Sequence, residues 1–208
     1  MKRLLLLLLT ALAHNAFAAS SVDLTVRGAI TPSACTPGLS QGGQIDFGKI
    51  PAKDLSADST TWLPTVILKL TVNCEAPTLF ALRSKDNRAG SAYLDDGYNH
   101  GMGLINGNEK VGHYILTLRD PVSSTAQVST LTSVDGGTSW WNFPQGIYLV
   151  WHTLAAFGNS DSGVAAPVPL LDVTSDLYVE SKVAPANGLT LDQEAPLDGS
   201  ATLDLIYL

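Results

Sequence analysis

The side chains with the widest chemical scope in this 208-residue chain are two cysteines, a few histidines, one pair of adjacent acids and one pair of adjacent tryptophans. Cys35 and Cys74 are the only cysteines, so a single intramolecular pairing exists. In an exported chain that pairing is expected to be a disulfide. Closing a loop of about 40 residues is worth roughly 4 kcal/mol in the chain-entropy description. The other chemistry open to two thiolates is a metal site, which needs further ligands. His100, His113 and His152 stand at no helical or short-loop spacing from either cysteine, so no metal is expected.

Asp95-Asp96 could in principle be a general acid/base pair. They fall in a Gly-rich stretch, however, and read as turn chemistry. Trp140 and Trp141 could form a carbohydrate-stacking platform; the plainer reading is one ring in the core and one outside. His113 and His152 fall in predicted strands and read as packed or surface residues. No Gly-x-Ser-x-Gly, Walker loop, dinucleotide fingerprint or His-Glu-x-x-His is present. The expectation is a non-enzyme without cofactor.

The elements that must position these residues begin with an export signal. Lys2 and Arg3 precede an apolar run, Leu4 to Ala13, and Ala16-Phe17-Ala18 follows as a small-x-small cleavage pattern. The run is too short to span a bilayer, which takes about twenty residues. Residues 1–18 are therefore expected to be removed, leaving about 190 residues, enough for one large domain. Losing Lys2 and Arg3 takes the formal charge from −7 to −9. An acidic chain poor in Lys and Arg does not suit nucleic acid, whose phosphates need a basic patch.

Helical periodicity is missing beyond the signal, and Gly and Pro together make about 14% of the chain. Short β-branched runs between Gly/Asp/Asn/Ser clusters predict an all-β domain. Behind the signal, Val22, Leu24, Val26, Gly28 and Ile30 share one face of an extended strand. A greasy strand at a free N-terminus needs a groove to lie in, on a neighbouring copy if not on its own chain.

Trp62 to Cys74 is the next clear strand, with Val66, Leu68, Leu70, Val72 and Cys74 on one parity. Thr78 to Arg83 follows, ended by the polar stretch Ser84 to Arg88. Asp95 to Asn108 reads as a long surface loop, Val111 to Leu118 and Gln127 to Thr132 as strands. Gly146 to Leu154 is a near-continuous apolar run, expected to be a strand buried on both faces. Pro167 and Pro169 suggest an edge. Leu177 to Val183 alternates again, and the last strand is Ser200 to Leu208, with Ala201, Leu203, Leu205 and Tyr207 facing one way.

Taken in order, these pieces resemble subunits of chaperone–usher fimbriae. The resemblance rests on the signal, the alternating extension Leu24-Thr25-Val26-Arg27-Gly28-Ala29-Ile30, the cysteine pair, and the C-terminal strand with its penultimate Tyr207. The ending Leu197 to Leu208 is similar to that of a fimbrial-like family of unassigned function, often called β-fimbrial subunits.

The resemblance implies an immunoglobulin-like (pilin) sandwich that lacks one strand and is completed by a donor strand. It implies residues 1–18 as signal peptide, 19–34 as donor extension and 35–208 as the pilin-like domain. A periplasmic chaperone would lend the missing strand, and the extension of the next subunit would replace it at an outer-membrane usher. Val22, Leu24, Val26 and Ile30 would fill pockets, Gly28 would sit over the groove floor, and Ala201, Leu203, Leu205 and Tyr207 would border the groove and meet the chaperone. The implied setting is a fimbrium on the bacterial surface, reached through the periplasm, with neighbouring subunits as partners. Two other readings stand beside it: a minor or tip subunit binding host carbohydrate through Trp140 and Trp141, and a non-polymerising periplasmic protein whose own extension completes its sandwich.

Overall fold

The structure, a computed structural model, describes residues 34–160 and 163–208. The signal and the donor extension, including Val22, Leu24, Val26, Gly28 and Ile30, lie outside the described residues.

Eight principal strands carry the fold: β1 (Cys35–Leu39), β2 (Val66–Thr78), β3 (Phe80–Asp86), β4 (Gly112–Val122), β5 (Ser129–Ser133), β6 (Leu154–Asn159), β7 (Leu170–Val183) and β8 (Ala201–Tyr207). They form two antiparallel sheets. One runs β1-β2-β7-β4 and is continued by Ile147–Tyr148; the other runs β5-β6-β3-β8, with Trp141–Asn142 beyond β5. The all-β, sandwich-like expectation holds.

Alternation explains the layers. In β2, Leu68, Leu70, Val72 and Cys74 are buried while Ile67, Lys69 and Asn73 face outward. In β7 the buried set runs Val173, Ser175, Leu177, Val179, Ser181 and Val183. A register shift between Leu170 and Asp172 moves Leu170 into the same interior, as a bulge does. Leu68, Leu70, Val72, Leu170, Val173, Leu177 and Val179 meet Phe80, Leu82, Ala155 and Phe157 of the facing sheet in one core.

Four sequence expectations need correction. The Trp62–Cys74 strand is interrupted: Thr61–Trp62 pairs with Lys182 and Val183, then the chain breaks at Leu63–Thr65 before β2 begins. Pro64 has no N–H to offer a ladder there. The second strand does not end at Arg83, because β3 runs on to Asp86 with Ser84 fully buried against His100.

The stretch 95–108 is not wholly a surface loop. His100, Gly101, Met102 and Ile105 are buried, and His100–Gly101 pairs with Tyr114 and His113. Gly101 is what permits this, since a Cβ there would stand 2.5 Å from the Arg88 carbonyl oxygen.

Finally, Gly146–Leu154 is no doubly covered strand. Ile147–Tyr148 lies on β4, an exposed turn follows at Trp151–His152, and β6 starts in the other sheet. The apolar run crosses the core from one layer to the other. His152 consequently sits in that turn, not in a strand.

Candidate functional site

The site is built from the last strand outward. In the β8–β3 ladder the even-numbered residues bond inward: Asn87 N–H donates to Ser200 O at 2.9 Å and Leu208 N–H to Leu79 O at 3.1 Å. By the alternation of an antiparallel ladder, the N–H and C=O of Ala201, Leu203, Leu205 and Tyr207 point away from β3. No described strand pairs with that side. The same residues turn Ala201, Leu203 and Leu205 onto the core.

β1 is the corresponding edge of the other sheet. Ala34 O accepts from Glu75 N–H at 3.0 Å, so Cys35, Pro37 and Leu39 direct their backbone groups outward from β2. Pro37 has no N–H, which blunts the edge. Cys35 and Cys74 face each other in register and are joined by a disulfide. At this end the two edges touch: the Cys35 N–H donates to the Tyr207 hydroxyl at 3.0 Å.

Away from that contact the edges separate into an apolar groove. Its narrower part, about 380 Å³, is walled by Leu39, Ile45 and Phe47 on one bank and by Leu197, Ala201 and Leu203 on the other. The floor is Leu68, Leu116, Leu177 and Val179, the interior of the first sheet. The wider part, about 580 Å³, continues past Ile50, Leu55, Leu189 and Leu191. Lys49 and Glu194 form an ion pair at 2.7 Å between the banks there, both side chains well exposed.

The far bank is fixed from below. Arg88 grips the Asp198 carboxylate with Nε (2.9 Å) and Nη2 (2.8 Å), and Asp198 N–H donates to Met102 O at 2.9 Å. That guanidinium holds the Asp198 carboxyl below its usual range. Glu109 accepts from the Thr190 N–H at 2.7 Å and the Thr190 hydroxyl at 2.8 Å; the backbone donor first, then Asn106, lowers its pKa. Gly199 lies so close to the Tyr114 ring that a Cβ would stand 2.9 Å from Cε1.

Beneath this bank sits a buried polar group. Ser84 Oγ and His100 Nε2 are 2.7 Å apart, and the His100 ring stacks on Tyr114 with centroids 5.2 Å apart. Burial lowers the His100 pKa and raises that of the Tyr114 hydroxyl out of the ordinary phenol range. A Ser–His hydrogen bond is the kind nucleophilic catalysis uses. Here both residues are nearly inaccessible, at 1% and 3% exposure, so neither atom can meet a substrate.

Trp140 and Trp141 differ in their surroundings. Trp140 is half-buried against Leu131 and Ala156 with its Nε1–H on Gly137 O, whereas Trp141 is exposed on an edge strand opposite Thr132. Among the described residues no cluster of His, Cys, Asp and Glu could hold a metal ion, and no helix is long and apolar enough to cross a membrane.

Sequence reasoning missed the near bank. Ile45 and Phe47, like Leu189 and Leu191, alternate at period two, and that signal was available in the sequence.

Over residues 24–120 the chain matches a family model described as "Protein of unknown function (DUF1120)". That stretch holds the cysteine pair and the near bank. The chain is also similar to two proteins of Escherichia coli (strain K12). "Uncharacterized protein YhcF" is 26% identical over 94% of this chain and 94% of its own length. "Protein GltF" is 26% identical over 96% of this chain and 94% of its own. The likeness spans nearly the whole chain in both.

Proposed function

We propose that this protein is a structural subunit of a bacterial surface fimbria, assembled by exchange of donor strands between subunits. The observation that carries the reading is the groove lined by Leu39, Ile45, Phe47, Ala201 and Leu203, beside an edge of β8 with which no described strand pairs. A long apolar edge left open is an aggregation hazard, so a protein that keeps one has an occupant for it.

The proposed occupant is the segment 19–34 of the next subunit. Val22, Leu24, Val26 and Ile30 enter the groove, with Gly28 where the floor is shallow. Its backbone pairs with the outward groups of Ala201, Leu203, Leu205 and Tyr207. Burying four aliphatic side chains contributes roughly 1.5–3 kcal/mol each before ordering costs. Backbone bonds add around 1 kcal/mol net apiece, enough to make release slow.

Before assembly the groove is filled by a strand of a periplasmic chaperone, and the exchange occurs at an outer-membrane usher. Residues 1–18 direct export and are removed, and the Cys35–Cys74 disulfide suits the oxidising compartment in which folding takes place. A carbohydrate-binding role for Trp140 and Trp141 has less support, since Trp140 is half-buried against Leu131 and Ala156.

The test compares the full mature chain with one lacking residues 19–34, each co-expressed with the cognate chaperone and usher. The reading expects co-isolation with the chaperone in both cases. It expects multimers that survive detergent until heated only from the full chain. A full chain that is a stable monomer without chaperone refutes the reading and favours completion of the sandwich by its own extension.

A further inference from the structure

Two segments distant in sequence meet at the outer edge of the sheet containing β4, away from the groove. The rings of Tyr98 and Tyr148 lie edge to face with centroids 5.3 Å apart at 62°. Those of Trp151 and His152 do the same at 5.0 Å and 73°. Gly97 joins the pairs: the place of its missing Cβ is 4.0 Å from His152 Cε1. Tyr98, Tyr148 and Trp151 are 48%, 50% and 68% exposed, a concentration of aromatic surface that the core does not use.

Charge decides what suits this corner. Asp96 Oδ1 accepts from the Tyr98 N–H (3.1 Å) and from Asn99 Nδ2 (2.8 Å), which fixes the turn. Its other oxygen and the Asp95 carboxylate have no partner among the described residues. Residues 89–108 and 140–160 contain no Lys or Arg, and Arg119 of the adjacent β4, which stands against Gly146, lays its guanidinium over the Tyr178 ring.

We propose that this corner binds a quaternary ammonium group. Ring faces attract a cation through their quadrupole, most strongly when it is weakly hydrated. An edge-to-face pair covers at most one face of one ring, and Tyr98, Tyr148 and Trp151 keep roughly half or more of their surface in solvent, where a cation can lie against a ring face. Asp95 and Asp96 supply the countercharge. A purely apolar partner would cover these carboxylates with no compensating charge, which is costly.

The experiment titrates the full mature chain in the state in which it is isolated, multimer or monomer, with tetramethylammonium chloride against sodium chloride of equal ionic strength, by calorimetry and tryptophan fluorescence. The expected result is saturable binding with a dissociation constant on the order of millimolar. Trp151→Ala, and separately the double change Asp95→Asn with Asp96→Asn, should each weaken it about tenfold. Trp62→Ala, on the sheet face beside Lys182, should leave it unchanged.

Absence of saturation overturns the proposal. So does equal binding of the uncharged isostere neopentane-type alcohol, or binding of a neutral hexose that survives the Asp-to-Asn changes. All altered side chains are exposed, so circular dichroism should report an intact fold. The result is independent of fibre assembly, because the groove is not involved.

Discussion

The Cys35 backbone N–H and the Tyr207 hydroxyl meet at 3.0 Å, tying the first strand of one sheet to the last strand of the other. This single contact closes one end of the groove, and it is made by the two edges that otherwise stand apart. Tyr207→Phe keeps the ring and removes the bond. Stability should fall by about 1 kcal/mol, read as a lower urea midpoint with unchanged slope.

Cys35→Ser with Cys74→Ser removes the cross-strand link between β1 and β2. Loss of loop closure should cost roughly 4 kcal/mol. Equilibrium unfolding of the double variant, with the reduced native protein as control, measures it. An unchanged midpoint would mean that β1 stays docked through Leu39 and the ladder alone.

Leu203→Asp places a charge on the groove wall opposite Leu39 and Phe47. Under the proposed function, heat-resistant multimers should disappear. The side chain is only partly buried, so the isolated domain should lose less stability than a core Leu→Asp change. Multimers that persist at native level would count against the groove as the docking site.

Gly199→Ala pushes a methyl toward Tyr114 Cε1, already 2.9 Å from the Cβ position. Overpacking of this kind costs about 1–3 kcal/mol. Thermal unfolding should show the loss, and Gly199→Ala combined with Tyr114→Leu should recover part of it.

His100 and His113 are buried and held neutral, each with its pKa lowered chiefly by desolvation. The sign follows from linkage. The unfolded imidazoles take up protons first as pH falls through about 6.5, so stability drops from there down to the folded pKa values. The carboxylates Asp198 and Glu109, also lowered, act in a separate and more acidic window, where stability is lost as pH falls below about 4.5. Urea midpoints at pH 7.5 and 5.5 should therefore differ, and His100→Gln should narrow that difference.

Much of the fold was legible because burial on one face imposes period two. The parities of Leu68, Leu70, Val72 and Cys74 in β2 and of Ala201, Leu203 and Leu205 in β8 both match the observed interior. The crossing at Trp151–His152 was not legible, since an apolar run looks the same whether its strand is covered twice or the chain passes between layers. The near bank was half legible: Ile45 and Phe47 alternate, but nothing local says what they face.

Sequence by itself determined that strands form, which side of each is apolar, and which two cysteines can pair. Tertiary structure decided which edges no described strand pairs with, that residues 39–51 and 189–203 become opposite banks, and that the Tyr98 ring meets that of Tyr148. The physical reason is that alternation is a local property, fixed by the direction of successive side chains. A strand's neighbour is set instead by hydrogen bonds and packing between residues far apart in the chain, and these exist only once the sheets have closed on one another.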